Sequence, residues 1–244
     1  METAEFIETL DREGRLLAAA AEEAGTHATV PTCQGWQVRD LLRHTGTVHR
    51  WAAAFVAEGY TAYRPGEGLP DLDGAELLGW FREGHRYLVR TLSTAAPDVR
   101  CWHFLPAPSP LAFWARRQAH ETAVHRVDAE SARGGTPTAI GPAFALDGID
   151  ELLRGFHARP RSRVRSEEPR VLRVRATDVD GAVWTVRLSA EPPVTERDGR
   201  ADADCEVSGP AAQLCLALWN RLPFPQVTGD ASVAALWREK SAIG

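Results

Sequence analysis

The 244-residue sequence predicts a helical bundle in residues 1–158 and a small α+β domain in residues 159–244. Apolar side chains recur at helical spacing in several long segments of the first part. After residue 170 apolar and polar residues alternate, which is typical of strands. The two patterns are separated by residues 158–170, a polar stretch with two prolines that we interpret as a linker. The predicted fold is therefore a four-helix bundle followed by a mixed domain.

Five helices are predicted in the first part, most of them with an apolar stripe, and each ends at glycine or before a proline-containing segment. They span residues 3–24, 37–58, 74–95, 111–133 and 143–157. In the second of these helices Leu41, Val48, Trp51 and Phe55 form the stripe, and His44 interrupts it. Spacings of three and four residues place the whole stripe on one face, which we expect to point into the bundle.

The second domain is predicted to hold three strands and two helices. We expect strands at residues 171–176, 183–189 and 204–208, and helices at residues 210–221 and 231–240. Asp180 and Gly181 between the first two strands favour a hairpin turn. Arg173 and Arg175 alternate with apolar neighbours, so we expect these two arginines on the outer face of the sheet.

Composition excludes several classes of protein. A net charge of −5 argues against a binder of duplex nucleic acid. No run of about 18 apolar residues is present, so no transmembrane helix is expected, and the start lacks the features of a signal peptide. The four cysteines form no CxxC pair, and we expect a reducing cytoplasm rather than a disulfide framework. Lys240 is the only lysine among 28 basic residues, which indicates a high-GC bacterial genome.

A candidate metal site lies on the second and fourth predicted helices. Glu121 and His125 are four residues apart and share one face. If the two helices face each other, His44 meets this pair, and two imidazoles and one carboxylate leave a position open for water or substrate. Such a set suits Zn²⁺, or Fe²⁺ and similar ions. Asp128 is predicted to hold a ligating imidazole from behind.

Plainer interpretations of the same residues stay open at this point. A single histidine on a helix seam is often a hydrogen-bonded core residue, and a Glu/His pair at this spacing is often a surface pair. His120 is five residues from His125, about 140° around the helix, which does not match the HExxH motif of zinc proteases. We therefore expect His120 to lie outside the ligand set.

Three segments carry a family resemblance. VPTCQGWQVRDLLRHTGTVHRW (residues 30–51) and WARRQAHETAVHRVDAE (residues 114–130) resemble the two marker segments of the mycothiol-dependent maleylpyruvate isomerase family, whose bundle is a DinB-like metal-binding fold. VSGPAAQLCLALWNRLPFPQVTGDASVAALW (residues 207–237) is similar to the end of the sterol-carrier-like C-terminal domain of that family.

The resemblance implies a metal site, a thiol cofactor and an arginine. Carried over by position, the metal ligands are His44, Glu121 and His125, and the metal is typically zinc. The thiol is mycothiol, which high-GC actinobacteria use. The family places an arginine of the C-terminal domain near the active site. Arg221 is the candidate here, although its LWNR context departs from the LWGR-type pattern, and it and Asp128 are the catalytic candidates beside the ligands.

The implied chemistry begins with a thiol that the metal deprotonates near neutral pH. In an isomerase the thiolate adds to a cis double bond, the new single bond rotates, and the thiolate leaves. In a transferase it attacks an electrophile and stays attached. The alternatives are a metal-dependent hydrolase and a non-catalytic small-molecule-binding protein. The expected partners are a small-molecule substrate and a low-molecular-weight thiol, with no nucleic acid and no membrane, and the chain is expected to be a monomer or homodimer.

Overall fold

A computed structural model describes residues 1–199 and 202–243 of the chain, which divides into two compact units, Met1–Thr138 and Ala139–Gly244. The first unit holds four long helices. They are α1 (Thr3–Ala24), α2 (Val38–Glu58), α3 (Gly74–Thr94) and α4 (Pro110–Arg133). Each begins within one residue of its predicted start, which confirms the helical bundle.

Helix α4 lies at the centre of the first unit and packs against α1, α2 and α3. It begins with Pro110 behind a cap in which the Ser109 hydroxyl accepts from the backbone N–H of Ala112. It ends at Gly134, whose φ of 86° is accessible to glycine at little cost. Because neighbours surround α4, its polar side chains point toward different helices, and nearly all of them need partners inside the unit.

A buried ion cluster joins α1 to α4. Arg126 donates from Nε to Glu13 Oε2 at 2.8 Å and from Nη1 to Glu130 Oε2 at 2.6 Å. All three side chains are at most 2% exposed. Glu130 also accepts from the backbone N–H and the hydroxyl of Thr138, which holds the segment after α4 against the bundle. Such charges are tolerated inside a protein only when they are paired.

The second unit consists of a sheet and helices. The elements are α5 (Pro142–Asp150), which continues as a π-helical segment Glu151–Phe156, then β1 (Arg170–Ala176), β2 (Val183–Leu188), β3 (Val194–Glu196), β4 (Cys205–Gly209), α6 (Ala211–Leu218), β5 (Gln226–Gly229) and α7 (Ala231–Lys240). The sequence places the domain boundary after residue 158, whereas the contacts place it after Thr138. Helix α5 packs against α6, and Trp184 of β2 donates its indole N–H to Asp150.

The strand order is β3-β2-β1-β4-β5. Strand β1 pairs antiparallel with β2, as the predicted hairpin requires, and parallel with β4. Arg173 and Arg175 both pair with Glu206 of β4, while Leu172 and Val174 are fully buried. The predicted outward position of the two arginines is confirmed.

Two further expectations concern the whole chain. In the part of the chain that the structure describes, no helix has the length and apolar character needed to cross a membrane. In the described residues none of the four cysteines forms a disulfide bond; Cys33 is half-buried and the others are buried.

Candidate metal centre

His44, Glu121 and His125 come together between α2 and α4. Their potential ligand atoms all lie within 4.8 Å of one another. His44 Nε2 is 3.4 Å and His125 Nε2 is 3.2 Å from the same oxygen, Glu121 Oε1. The side chain of His44 is 36% exposed and that of Glu121 is 23% exposed, whereas His125 is buried. The cluster therefore has one side that faces solvent.

The donor atoms of this cluster fit a divalent cation. Two imidazole nitrogens and one carboxylate oxygen are ligands that Zn²⁺ and Fe²⁺ accept. In residues 1–199 and 202–243 no fourth His, Cys, Asp or Glu joins the group. Three protein ligands with a solvent-facing side are typical of catalytic zinc sites, whereas structural sites close with four.

Asp128 holds His125 from behind. Its Oδ2 lies 2.9 Å from His125 Nδ1, and its Oδ1 accepts from the hydroxyl of Thr32 at 2.6 Å. Burial disfavours the charged imidazolium, but hydrogen bonds to Asp128 and Glu121 outweigh it and raise the pKa of His125 to about 9. The contact also fixes the ring so that Nε2 points at the cluster.

Arg117 holds the remaining oxygen of Glu121 and is a functional candidate that the sequence did not predict. Its Nη2 donates to Glu121 Oε2 at 3.0 Å, and its side chain is only 3% exposed. Burial opposes the charge on Glu121, but hydrogen bonds from His125 and His44 outweigh it. Together with the positive charges of His125 and Arg117, they hold the pKa of the Glu121 carboxyl well below its usual range. The four-residue spacing of Arg117 and Glu121 is the signal that could have revealed the contact.

The loop before α2 supplies a wall of the site. The ring of Trp36 lies 5.2 Å from the ring of His44 and stacks at 6.4 Å on that of His125. Thr32, which hydrogen-bonds Asp128, comes from the same loop, and Cys33 follows it directly. The sequence predicts no role for Trp36 or Thr32, because a loop residue has no periodicity that indicates which way its side chain points.

The other histidines of the bundle point elsewhere. His120 lies on a different side of α4, with its ring 5.8 Å from Phe6 of α1, and it is not part of the ligand cluster. His49 is fully buried, 2.9 Å from the hydroxyl of Thr122. Burial, followed by the nearby His85, lowers the pKa of His49 well below its ordinary value, so the ring is neutral.

Arg221 belongs to the second unit. It lies three residues beyond Leu218, the end of α6, and directly after Asn220, which has a left-handed φ of 62°. Arg221 is half-buried, and its Nη1 donates to the backbone carbonyl of Trp219 at 2.8 Å. Its role as a carboxylate-binding residue stays a prediction.

Two family models match the chain in sequence order. The model of the mycothiol maleylpyruvate isomerase N-terminal domain matches residues 7–130, and that of the C-terminal domain matches residues 143–236. The chain belongs to the mycothiol-dependent maleylpyruvate isomerase family. The division between the two compact units, after Thr138, falls in residues 131–142, which neither family model matches. The resemblance seen in the marker segments is thereby confirmed.

Members of the mycothiol-dependent maleylpyruvate isomerase family also resemble the chain in fold. A crystal structure of the mycothiol-dependent maleylpyruvate isomerase matches with a TM-score of 0.65 at 13% identity, covering 93% of this chain and 92% of that one. A crystal structure of a mutant of that enzyme matches with a TM-score of 0.62 at 12% identity, with 90% of each chain covered. No curated protein sequence matches. At this identity the likeness shows the shared fold, a helical unit followed by an α+β unit.

Proposed function

We propose that this protein is a divalent-metal-dependent enzyme that activates mycothiol for addition to an unsaturated or electrophilic small molecule. The observation that carries the proposal is the cluster of His44, Glu121 and His125 with its solvent-facing side. Zn²⁺ is the ion that this donor set favours. A divalent cation bound there lowers the pKa of a coordinated thiol, so that thiolate is available near neutral pH.

The residues around the cluster preorganise it. Asp128 orients the His125 ring, and Arg117 occupies one oxygen of Glu121 so that the other faces the two histidines. The Asp128 carboxylate raises the basicity of His125, and both outer partners fix the direction of the ligand that they contact. Arg221 is proposed to hold a substrate carboxylate through a two-pronged hydrogen bond.

Two reactions share the addition of sulfur to carbon. In cis-trans isomerisation the sulfur lone pair forms a C–S bond at one carbon of the double bond, and the π electrons move onto a conjugated carbonyl oxygen. Rotation about the resulting single bond and expulsion of the thiolate restore the double bond in the trans form. In transfer the C–S bond is kept, and the electrophile releases a leaving group with its electron pair.

Thiol dependence tests the proposal. The zinc-loaded protein is assayed with maleylpyruvate and with an aryl halide electrophile, in the presence and absence of mycothiol. We expect turnover only with the thiol, because the cluster offers no other nucleophile of that kind, and we expect Cys33→Ser to retain it. Equal turnover of a substrate without any low-molecular-weight thiol would reject the proposal in favour of the hydrolase. No turnover over a broad substrate panel in either condition would support a small-molecule-binding role.

The setting of the reaction is part of the same proposal. We infer a cytoplasmic location and an actinobacterial source, because mycothiol is the thiol of those bacteria and the described cysteines form no disulfide bond. The chain is proposed to act as a monomer or homodimer. Size-exclusion chromatography with light scattering measures that state directly.

A further inference from the structure

Three arginines alternate along the segment that leads into β1. Arg161 and Arg163 are exposed and Arg165 is half-buried. Ser162 and Val164, which lie between them, are buried. Alternation of this kind is that of an extended segment with one side toward the protein interior. The three arginines, called the arginine row below, therefore leave the same side of the segment at intervals of about 6.7 Å.

The arginine row forms no ion pair in the part of the chain that the structure describes. Arg163 and Arg165 each donate to a backbone carbonyl at 3.1 Å, which holds the side chains without offsetting their charge. A carboxylate that follows closely in the sequence, that of Glu168, pairs with Arg170 instead. The row is thus a local concentration of positive charge in a chain whose net charge is −5.

The sheet of the same unit shows how arginines at alternate positions are neutralised. Arg173 and Arg175 leave one side of β1, and both pair with Glu206 on the neighbouring strand β4. A carboxylate on an adjacent extended segment is therefore well placed to reach two such arginines. The arginine row lies just before β1 and has the arginines of this arrangement without the carboxylate of a neighbouring strand.

The backbone beside the row offers hydrogen-bond donors. The chain neither turns nor bends over residues 162–166, and the N–H of Ser166 donates to the carbonyl of Ser189, just after β2, at 2.9 Å. Successive N–H groups of an extended chain point to opposite edges, so those of Arg163 and Arg165 point away from Ser189. Neither donates a hydrogen bond to another described residue. Such an edge can pair with a further extended segment.

The surroundings of the row favour an acidic peptide over a nucleic acid. Proteins that bind single strands stack the bases on aromatic rings, and no Phe, Tyr or Trp among the described residues of the second unit is exposed. Alternate residues of an extended peptide are about 6.7 Å apart, which is the interval of the arginines. Carboxylates at every second position of a peptide strand therefore match the row in spacing and in charge.

We propose that the arginine row and the edge beside it bind an extended acidic segment of a partner protein, with carboxylates at every second residue. The segment adds as a strand. Its carbonyls accept from the N–H groups of Arg163 and Arg165, and its carboxylates pair with the row. Neither the metal nor the thiol takes part, so the proposal is independent of the proposed reaction.

The test measures binding of a fluorescein-labelled peptide, four Thr-Glu repeats with blocked ends, to the full chain by fluorescence anisotropy at low salt. A block isomer, with four threonines followed by four glutamates, has the same charge and a different spacing. An oligothymidylate of eight nucleotides represents single-stranded DNA. We expect the alternating peptide to bind about fivefold or more tightly than either, as expected for two or three ion pairs made only in register. Added salt should weaken it.

Substitutions in the row test its part in binding. Arg161→Gln, Arg163→Gln and Arg165→Gln should each weaken the alternating peptide roughly threefold, and all three together roughly thirtyfold. The side chain of Arg161 makes no contact with another described residue, so Arg161→Gln leaves the fold intact. The matched control removes the same charge from the first unit. It combines three exposed positions that also lack an ion pair among the described residues, Arg86→Gln, Arg90→Gln and Arg100→Gln.

Amide hydrogen exchange tests the strand pairing. When the peptide binds, exchange at the N–H groups of Arg163 and Arg165 should slow, because they become donors to the peptide. The N–H of Val164 already donates to the Ser162 hydroxyl and should not change.

Several results would overturn the proposal. They are no binding of the alternating peptide, equal binding of the alternating and block peptides, and equal weakening by the two triple variants. Unchanged exchange at Arg163 and Arg165 would do the same, since the peptide would then not pair with this edge. Tighter binding of the oligothymidylate than of the alternating peptide would replace the peptide site by a nucleic-acid surface.

Discussion

His125 Nδ1 lies 2.9 Å from Oδ2 of Asp128, one turn further along α4. A carboxylate at this distance accepts the Nδ1–H and leaves Nε2 unprotonated when the imidazole is neutral, so Nε2 is the atom available to a cation. Thr32 donates to the other oxygen of Asp128 at 2.6 Å, which fixes the carboxylate as well. The direction of His125 is therefore set by a chain of contacts that reaches the loop before α2.

Replacing His125 is expected to remove the metal. His125→Ala deletes a buried ligand, and the two remaining donors, both partly exposed, hold a divalent ion poorly. We expect occupancy to fall from about one ion per chain to near zero, measured by elemental analysis of purified protein. His103→Ala is the control, since His103 lies outside the cluster and contacts the carbonyl of Leu105. Undiminished occupancy in His125→Ala would contradict the assignment.

Much of the fold could be predicted because α1, α2 and α3 each carry an apolar stripe and α4 is bounded by a proline at its start and by glycines after its end. Strands β3 and β5 were missed, because they have three and four residues and β5 is exposed along its whole length. Pairing with a neighbour, rather than an alternating pattern, makes these segments strands. The predicted boundary after residue 158 and the division by contacts after Thr138 differ in where they place α5, because its apolar stripe does not indicate which unit it packs against.

The residues of the candidate site could also be predicted only in part. His44, Glu121 and His125 could be found because helical spacing aligns two of them and a histidine on an apolar seam is conspicuous. Arg117 was not identified because an arginine four residues from a glutamate resembles a surface pair, so that its spacing alone does not mark it as buried. Trp36 was not identified because a loop tryptophan has no periodic position. Their roles depend on the packing of α2 against α4.

Removing the partner of Glu121 is expected to weaken metal binding. Arg117→Met leaves Oε2 of Glu121 without its 3.0 Å donor, and the carboxylate is then free to turn and to take up a proton more readily. We expect zinc affinity to fall by about tenfold or more, as for other outer-sphere changes, in competition with a chelator at pH 7. Arg117→Lys keeps the charge and should recover most of the affinity. Equal affinity in wild type and Arg117→Met would show that the contact has no influence on the ligand.

The Asp128 contact predicts a pH dependence of the metal-free protein. The folded pKa of His125 is raised to about 9, above its ordinary value of 6.5. The protonated ring therefore contributes stability that is fully present below pH 6.5 and is lost as pH rises toward 9, by at most about 1.4 kcal/mol per pH unit. In the variant Asp128→Asn the loss of stability between pH 6.5 and 9 should be much smaller. Urea unfolding of the chelated wild type and of chelated Asp128→Asn between pH 6 and 9.5 measures how the unfolding free energy of each depends on pH. The same pH dependence in both proteins would contradict the effect of Asp128 on His125.

The buried ion cluster predicts unequal effects for two arginines on one carboxylate. Arg126 is fully buried and pairs with Oε2 of Glu13, whereas Arg12 is 56% exposed and pairs with Oε1. Arg126→Met removes the buried cation that Glu13 and Glu130 share and should cost about 3–5 kcal/mol of unfolding free energy. Arg12→Met removes an exposed pair and should cost less than about 1 kcal/mol. Denaturant unfolding measures the unfolding free energy of both variants. A similar loss in Arg126→Met and Arg12→Met would contradict the greater contribution of the buried pair.

The last prediction concerns a buried histidine of the second unit. The ring of His157 lies 4.7 Å from that of Trp237, and its Nδ1 is 3.0 Å from the Ser162 hydroxyl. Burial, with a smaller effect of the nearby Arg159, lowers the pKa of His157 to about 4.

Because the unfolded chain takes up this proton near pH 6.5 and the folded chain does not, lowering the pH from 6.5 toward 4 destabilises the fold. The slope from this residue is at most about 1.4 kcal/mol per pH unit. His157→Gln keeps a hydrogen-bonding side chain that does not titrate, so its stability should fall less over this interval. His27→Gln is the control, because the His27 side chain is 70% exposed. Unfolding is followed by tryptophan fluorescence at several pH values. If the wild type and His157→Gln lose stability in parallel, the neutral state of the buried ring is wrong.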